Sequence, residues 1–230
     1  MKCRENLGGV PAEGNTLLGL RFLLQITALA AALFGAPACT PSVRAPAAPV
    51  VDQAFNALEA SRGTLWENTG AGIGLGNRSA AAQTFTIGRS GVLTAVAVQI
   101  FRGTNSSQSI IFEIRRTVNL IPSENDSDVL ALETIPLQEV PYALPTFVSV
   151  DLKGLCLNVH QGEILAIVLA NQDVQSGCGW QTASDDHYNG GKRFAKSRNT
   201  KDWISHGMGL SGQDLGFTTY VDPSYSCQPK

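Results

Sequence analysis

The sequence is poor in the features that most readily identify an activity. Its 230 residues hold three histidines, 16% charged residues and 7% aromatics, and 17 Lys and Arg nearly balance 19 Asp and Glu. With no basic stripe and no basic patch interleaved with aromatics, nucleic acid is not an expected partner. His160, His187 and His206 are scattered and lack HExxH spacing, which argues against a zinc enzyme of that kind. A Gly-x-Ser-x-Gly elbow is absent, and so is support for a serine hydrolase of that class. The glycine-rich Gly72-Ile73-Gly74-Leu75-Gly76 has no strand-to-helix junction around it, so it reads as a loop and not as a phosphate cradle. There is no internal repeat, and no apolar run reaches the roughly 20 residues that span a bilayer.

What is present starts at the N-terminus. The apolar run Phe22–Phe34, preceded by Lys2, Arg4 and Arg21, has the length and flank of a secretory h-region and ends at Ala36-Pro37-Ala38-Cys39. Residues 1–38 are therefore expected to be a signal peptide. Residues 39–50, rich in Pro and Ala, bury little and read as a tether. Residues 51–222 form the expected globular domain and 223–230 a C-terminal tail. About 170 residues suffice for one well-buried core. Without residues 1–38 the chain keeps 14 basic and 17 acidic side chains, a mildly acidic balance of −3.

The domain reads as strands throughout. Ala82–Ile87 alternates, Val92–Arg102 is apolar on both faces as a central strand requires, and Ile110–Arg116 sets Ile110, Phe112 and Ile114 against Glu113 and Arg115. Further strands are expected at Val129–Ile135, Phe147–Leu152, Glu163–Ala170, Cys178–Thr182, Lys192–Ala195 and Leu215–Val221, with one helical turn near Phe55–Ala60. Turn clusters such as Asn189-Gly190-Gly191 separate them. The spacing predicts an all-β, antiparallel sandwich.

Small residues before Cys39 resemble the lipobox of bacterial lipoproteins, which implies acylation of Cys39; Ala36-x-Ala38 equally fits ordinary cleavage and release. The membrane is thus expected as a partner only through an N-terminal lipid anchor. The order Val51-Asp52-Gln53, Ala82–Gly88, Ser90–Thr94, Gly162–Leu169, Trp180, Tyr188-Asn189-Gly190-Gly191, Trp203 and Asp214–Val221 resembles a jelly-roll module of bacterial secreted and surface proteins, similar to carbohydrate-binding modules. That resemblance points to a fold more than to a ligand, because such modules mostly lack an assigned one; export, the tether and the aromatics beside polar loops are what suggest a binding role without catalysis. The 197–213 segment and the extra cysteines depart from the pattern.

Sugar rings stack their C–H faces on aromatics while polar neighbours bind hydroxyls. Trp180, Tyr188 and Trp203, with Asp185 close by in sequence, are therefore the candidate ligand-binding residues; the alternative is that they pack. A structural Ca²⁺ is implied by the resemblance, but no Asp-x-Asp-x-Asp ladder supports it, so no cofactor is expected. Glu113 and Glu163 are the strand-borne carboxylates with any potential as a hydrolytic pair. Of the domain cysteines, Cys156 and Cys178 flank the 163–169 strand, some 23 Å long at about 3.3 Å per residue. That favours a Cys178–Cys227 disulfide, with three unpaired thiols as the alternative. Two functions follow: a tethered module that binds a polysaccharide or another envelope component, or a structural, protein-interacting subunit with no small ligand.

Overall fold

In the computed structural model, the described residues are 48–60, 72–74 (backbone), 80–103, 107–170, 177–183, 187–196, 202–205 and 213–227. All lie in the compact unit Arg44–Lys230. The expected signal peptide, Cys39, Asp185 and His206 fall outside them.

Thirteen strands are seen among these residues. They are β1 (Val50–Phe55), β2 (Gly72–Gly74), β3 (Ala80–Thr86), β4 (Gly91–Arg102), β5 (Ile110–Val118), β6 (Ile121–Pro122) and β7 (Val129–Ile135), then β8 (Thr146–Asp151), β9 (Leu157–Val159), β10 (Ile164–Ala170), β11 (Cys178–Gln181), β12 (Arg193–Lys196) and β13 (Phe217–Asp222). One helical turn, α1 (Ala57–Ala60), follows β1. The glycine-rich segment expected as a loop contributes β2, held by antiparallel pairing of Gly72–Gly74 with Gly179, Trp180 and Gln181.

The strands make two antiparallel sheets. In the first, the long β4 pairs with β13 and then β11 along one side, and with β9 and β8 along the other; β1 pairs with β13 and β2 with β11. The second runs β12-β3-β10-β5-β7, with β6 closing a hairpin on β5. From β3 to β5, and again from β7 through β13 except between β8 and β9, the chain crosses from one sheet to the other, as in a jelly-roll. The fold class expected from the sequence is the one observed.

Alternation explains the core. Phe85, Ile87, Ile110, Phe112, Ile114, Leu165, Ile167 and Leu169 of the second sheet pack in one cluster with Leu93, Val96, Val98, Ile100, Trp180, Phe217 and Val221 of the first. β5 buries Ile110, Phe112 and Ile114 and leaves the residues between them partly open, the period-two pattern of a half-buried strand. β10 is buried from Leu165 to Leu169 because both of its faces are covered. On the outer face of the second sheet, Ala82, Ala166, Val168 and Phe194 form a second, smaller cluster capped by Ala80 and Trp203.

The disulfide joins Cys156 to Cys227, with Cα atoms 5.7 Å apart, and this corrects the expected Cys178–Cys227 pairing. Cys156 precedes Leu157, which pairs with Leu93 near the start of β4, whereas Cys178 pairs with Arg102 at its far end. The two do lie at opposite ends, as expected. The error was in placing Cys227: β13 runs back along β4 and leaves it at Val92, on the Cys156 side. Cys178 is buried in the core cluster instead.

Candidate functional site

The region singled out in the sequence is organised by a buried carboxylate. Asp214 is 1% exposed; its Oδ2 accepts from the N–H groups of His187 (2.9 Å) and Tyr188 (2.8 Å), and its Oδ1 from Gln83 Nε2 (3.2 Å). Gln83 shares the inner side of β3 with Phe85, and its Oε1 accepts from Leu215 N at 2.9 Å. A polar group in that position must be hydrogen-bonded to be tolerated. Arg193 packs beside this network and donates to Gln213. Burial pushes its guanidinium down to about 10, with the Asp214 charge acting in the opposite sense.

The loop so anchored lies tight on the edge of β3. A Cβ on Gly191 would stand 1.8 Å from the Thr84 carbonyl oxygen, so only glycine permits this approach. Lys192 N donates to Thr84 Oγ1 (2.8 Å) and Thr86 Oγ1 to the Gly190 carbonyl (2.8 Å).

Two of the candidate aromatics are packing residues. Trp180 is fully buried and donates through Nε1 to the Gly216 carbonyl at 2.8 Å. Tyr188 is 8% exposed, meets Phe217 edge-on at 5.1 Å between centroids, and donates to Gln53 Oε1 at 3.2 Å. Burial pushes its phenol up to about 12. Neither ring has a face that a sugar can reach, which corrects the expectation of stacking platforms there. Trp203 is half-buried over the outer cluster, with Lys196 Nζ 5.5 Å from its ring centroid; Lys196 in turn pairs with Glu124. Asp185 cannot be placed with this group.

The other sequence candidates separate. Glu113 pairs with Arg115 and sits opposite Val168, while Glu163 precedes β10 and lies five positions away along it, about 16 Å at strand rise. That exceeds the span of a hydrolytic carboxylate pair. Among the described residues, no group of three or more His, Cys, Asp or Glu side chains is placed to hold a metal.

Sequence reasoning missed a cleft of about 400 Å³ between the β5–β6 hairpin and the turn before β10, lined by Arg116, Thr117, Asn119, Leu120, Gly162, Glu163 and Ile164. Arg116 Nη1 lies 3.8 Å from Glu163 Oε1 across it. On one side, the His160–Glu163 turn is closed by Glu163 N donating to the His160 carbonyl, with Gly162 at φ +84°. On the other is a two-residue hairpin with Asn119 at φ 53° and Leu120 at φ 68°. Such a turn favours glycine at its second position. An apolar branched residue held there costs roughly 1–2 kcal/mol of backbone strain. The only signal in the sequence was Asn119-Leu120 between two short apolar runs, a weak turn marker.

The cleft sits at the end of the sandwich where the domain begins. Gly162 N bonds the Ile87 carbonyl, Gln161 N bonds Ser90 Oγ, Gly88 N bonds Asp52 Oδ2, and Asp52 follows directly on Val50 and Val51. Leu155 and Cys156 are at this end too, beside the start of β4.

Comparison with known proteins adds little. No protein family matches the chain, and no curated protein matches it significantly. Among solved structures, it is similar to the cysteine protease and lectin-like domains of Cwp84, a surface layer associated protein of Clostridium difficile, at 16% identity and a TM-score of 0.44 over 64% of this chain and 33% of that one. It is likewise similar to the clostridial cysteine protease Cwp84 after propeptide cleavage, at 17% identity and a TM-score of 0.45, over 64% of this chain and 36% of that one. This chain thus spans about a third of either. Likeness at that level carries no argument about ligand or activity, and the fold rests on the strand pairing itself.

Proposed function

We propose that this protein is an exported, non-catalytic binding module that takes a glycan or another envelope component in the cleft at the hairpin end of its sandwich. The cleft is the observation that carries this reading. Its walls bring guanidinium, carboxylate, carboxamide and hydroxyl groups together with an apolar side chain, Leu120. That mixture suits a ligand whose hydroxyls need donors and acceptors and whose C–H face needs apolar contact. Arg116 and Glu163 offset one another's charge, which favours an uncharged ligand. Export is supported by the apolar run Phe22–Phe34 and by the Cys156–Cys227 disulfide, a bond typical of oxidising compartments.

The second reading is a protein-interacting subunit with no small ligand. The burial of Trp180 and Tyr188 favours it, as do the exposed Val118, Leu120 and Ile121 at the same end. Retention of the detergent-solubilised full chain on a panel of polysaccharides separates the two. The glycan reading expects saturable retention that Arg116→Ala and Glu163→Gln abolish at unchanged melting temperature, while Trp203→Ala retains it. Loss in Trp203→Ala alone would move the site to the outer face. No retention on any polysaccharide would leave the protein-interaction reading in its place.

A further inference from the structure

We propose that the hairpin end of the sandwich docks on the lipid bilayer, with Leu120 and Ile121 entering the headgroup–acyl boundary. This deepens the binding reading above by naming what that end faces, and it rests on that reading's export and on anchoring at Cys39.

Three observations converge. First, the domain leaves apolar side chains open at this end: on the hairpin Val118 is 57% exposed, Leu120 55% and Ile121 42%, and Leu155, Val50 and Val51 are exposed at the same end of the other sheet. Second, Leu120 is held at the apex of its hairpin in a left-handed conformation, which thrusts a branched apolar side chain outward where glycine would be the unstrained choice. Third, the chain enters the domain at this same end. Between Cys39 and Val50 stand ten residues, which even fully extended reach no more than about 35 Å.

The occupant follows from that reach. A chain held in the membrane by an acyl group on Cys39 keeps the Val50 end within one tether length of the bilayer. The hairpin then meets the lipid surface at a high effective concentration. Attachment is through apolar contact more than charge, because Arg89 is paired with Asp52 and Arg116 with Glu163. The cleft beside Leu120 would then open at the water boundary, toward groups displayed on the membrane's own surface.

The test uses full-length protein reconstituted into phosphatidylethanolamine–phosphatidylglycerol vesicles, with a nitroxide label at Leu120→Cys or, as the control, at Leu132→Cys on β7. The unsubstituted chain gives the background from native cysteines. Docking expects the ratio of oxygen to aqueous nickel-complex collisions to rise several-fold at 120 over 132, and to persist in high salt. Equal ratios at the two sites would overturn the proposal. Shielding of 120 from both quenchers would also overturn it, since that is the signature of protein, such as a second copy, covering the hairpin. Arg116→Ala, which removes the cleft's guanidinium, should leave the collision ratio intact. A docked hairpin with no polysaccharide retention would thus fail only the glycan reading, and retention with a water-exposed hairpin would fail only this one.

Discussion

The two faces of the second sheet carry the same backbone and very different contents. Inward, Phe85, Phe112 and Ile114 are fully buried against Trp180 and Phe217 of the facing sheet. Outward, the floor is Ala82, Ala166 and Val168, and two large side chains, Phe194 and the half-buried Trp203, roof it. An aromatic on the inner face is enclosed on every side. On the outer face Phe194 is covered too, but Trp203 stays half-buried, and its indole N–H finds no acceptor among the described residues. The three candidate aromatics therefore differ in what they can do: Trp180 and Tyr188 specify the fold, and of the three Trp203 has surface left for contact.

Substitutions can break that contrast. The largest effect is expected inside: Trp180→Ala removes a fully buried ring and its bond to Gly216, and should cost about 3–5 kcal/mol in denaturant unfolding. Next comes the disulfide that closes the end of the sandwich. Joint Cys156→Ser and Cys227→Ser substitution opens a loop of 71 residues and should lower stability by about 2–4 kcal/mol, with reduction of the native protein giving the same change. Trp203→Ala, at the other extreme, should cost about 1 kcal/mol. A cost equal to that of Trp180→Ala would show the outer cluster to be a true second core.

Tyr188 sharpens the contrast through pH. Its phenol gives up its proton at about 12 in the folded protein, against 10.0 for an ordinary tyrosine. The stability this contributes is complete below pH 10 and is lost as pH rises from 10 to 12. Tyr188→Phe loses the hydrogen bond to Gln53, about 1 kcal/mol, and is expected to be the less stable protein at pH 8. It lacks the alkaline loss, so melting curves above pH 10 should narrow or invert the difference.

Much of the sandwich was legible because its strands announce their faces. β4 is buried on both sides because Leu93, Val96, Val98 and Ile100 enter the core while Ala97 and Gln99 are covered on the other face, and β5 alternates because one of its faces is open. β2 and β9 were not legible: three residues each, they are strands only by virtue of β11 and β4 beside them. The disulfide was misassigned for want of one fact, the direction of β13. The Asp214 network carried a signal that went unread. Gln83 falls on the Phe85 side of an alternating strand, and a polar residue there requires a buried partner. The cleft had no such signal, since it is made by two turns distant in sequence that meet only when β5 and β10 pair.

The disulfide also decides how the domain bears a load. β1 enters from the hairpin end and pairs antiparallel with β13 from Val50–Val221 to Phe55–Phe217, while Cys227, five residues past β13, is bolted to Cys156. Tension arriving along the N-terminal segment runs parallel to β1 and strains its cross-strand bonds together, as in a lap joint, instead of opening them singly from one end. The strand that receives this force cannot be drawn out of the sheet at its exit, because its far side is riveted to the loop before β9. A domain hung by its N-terminus from a moving surface would carry that load on these bonds in parallel.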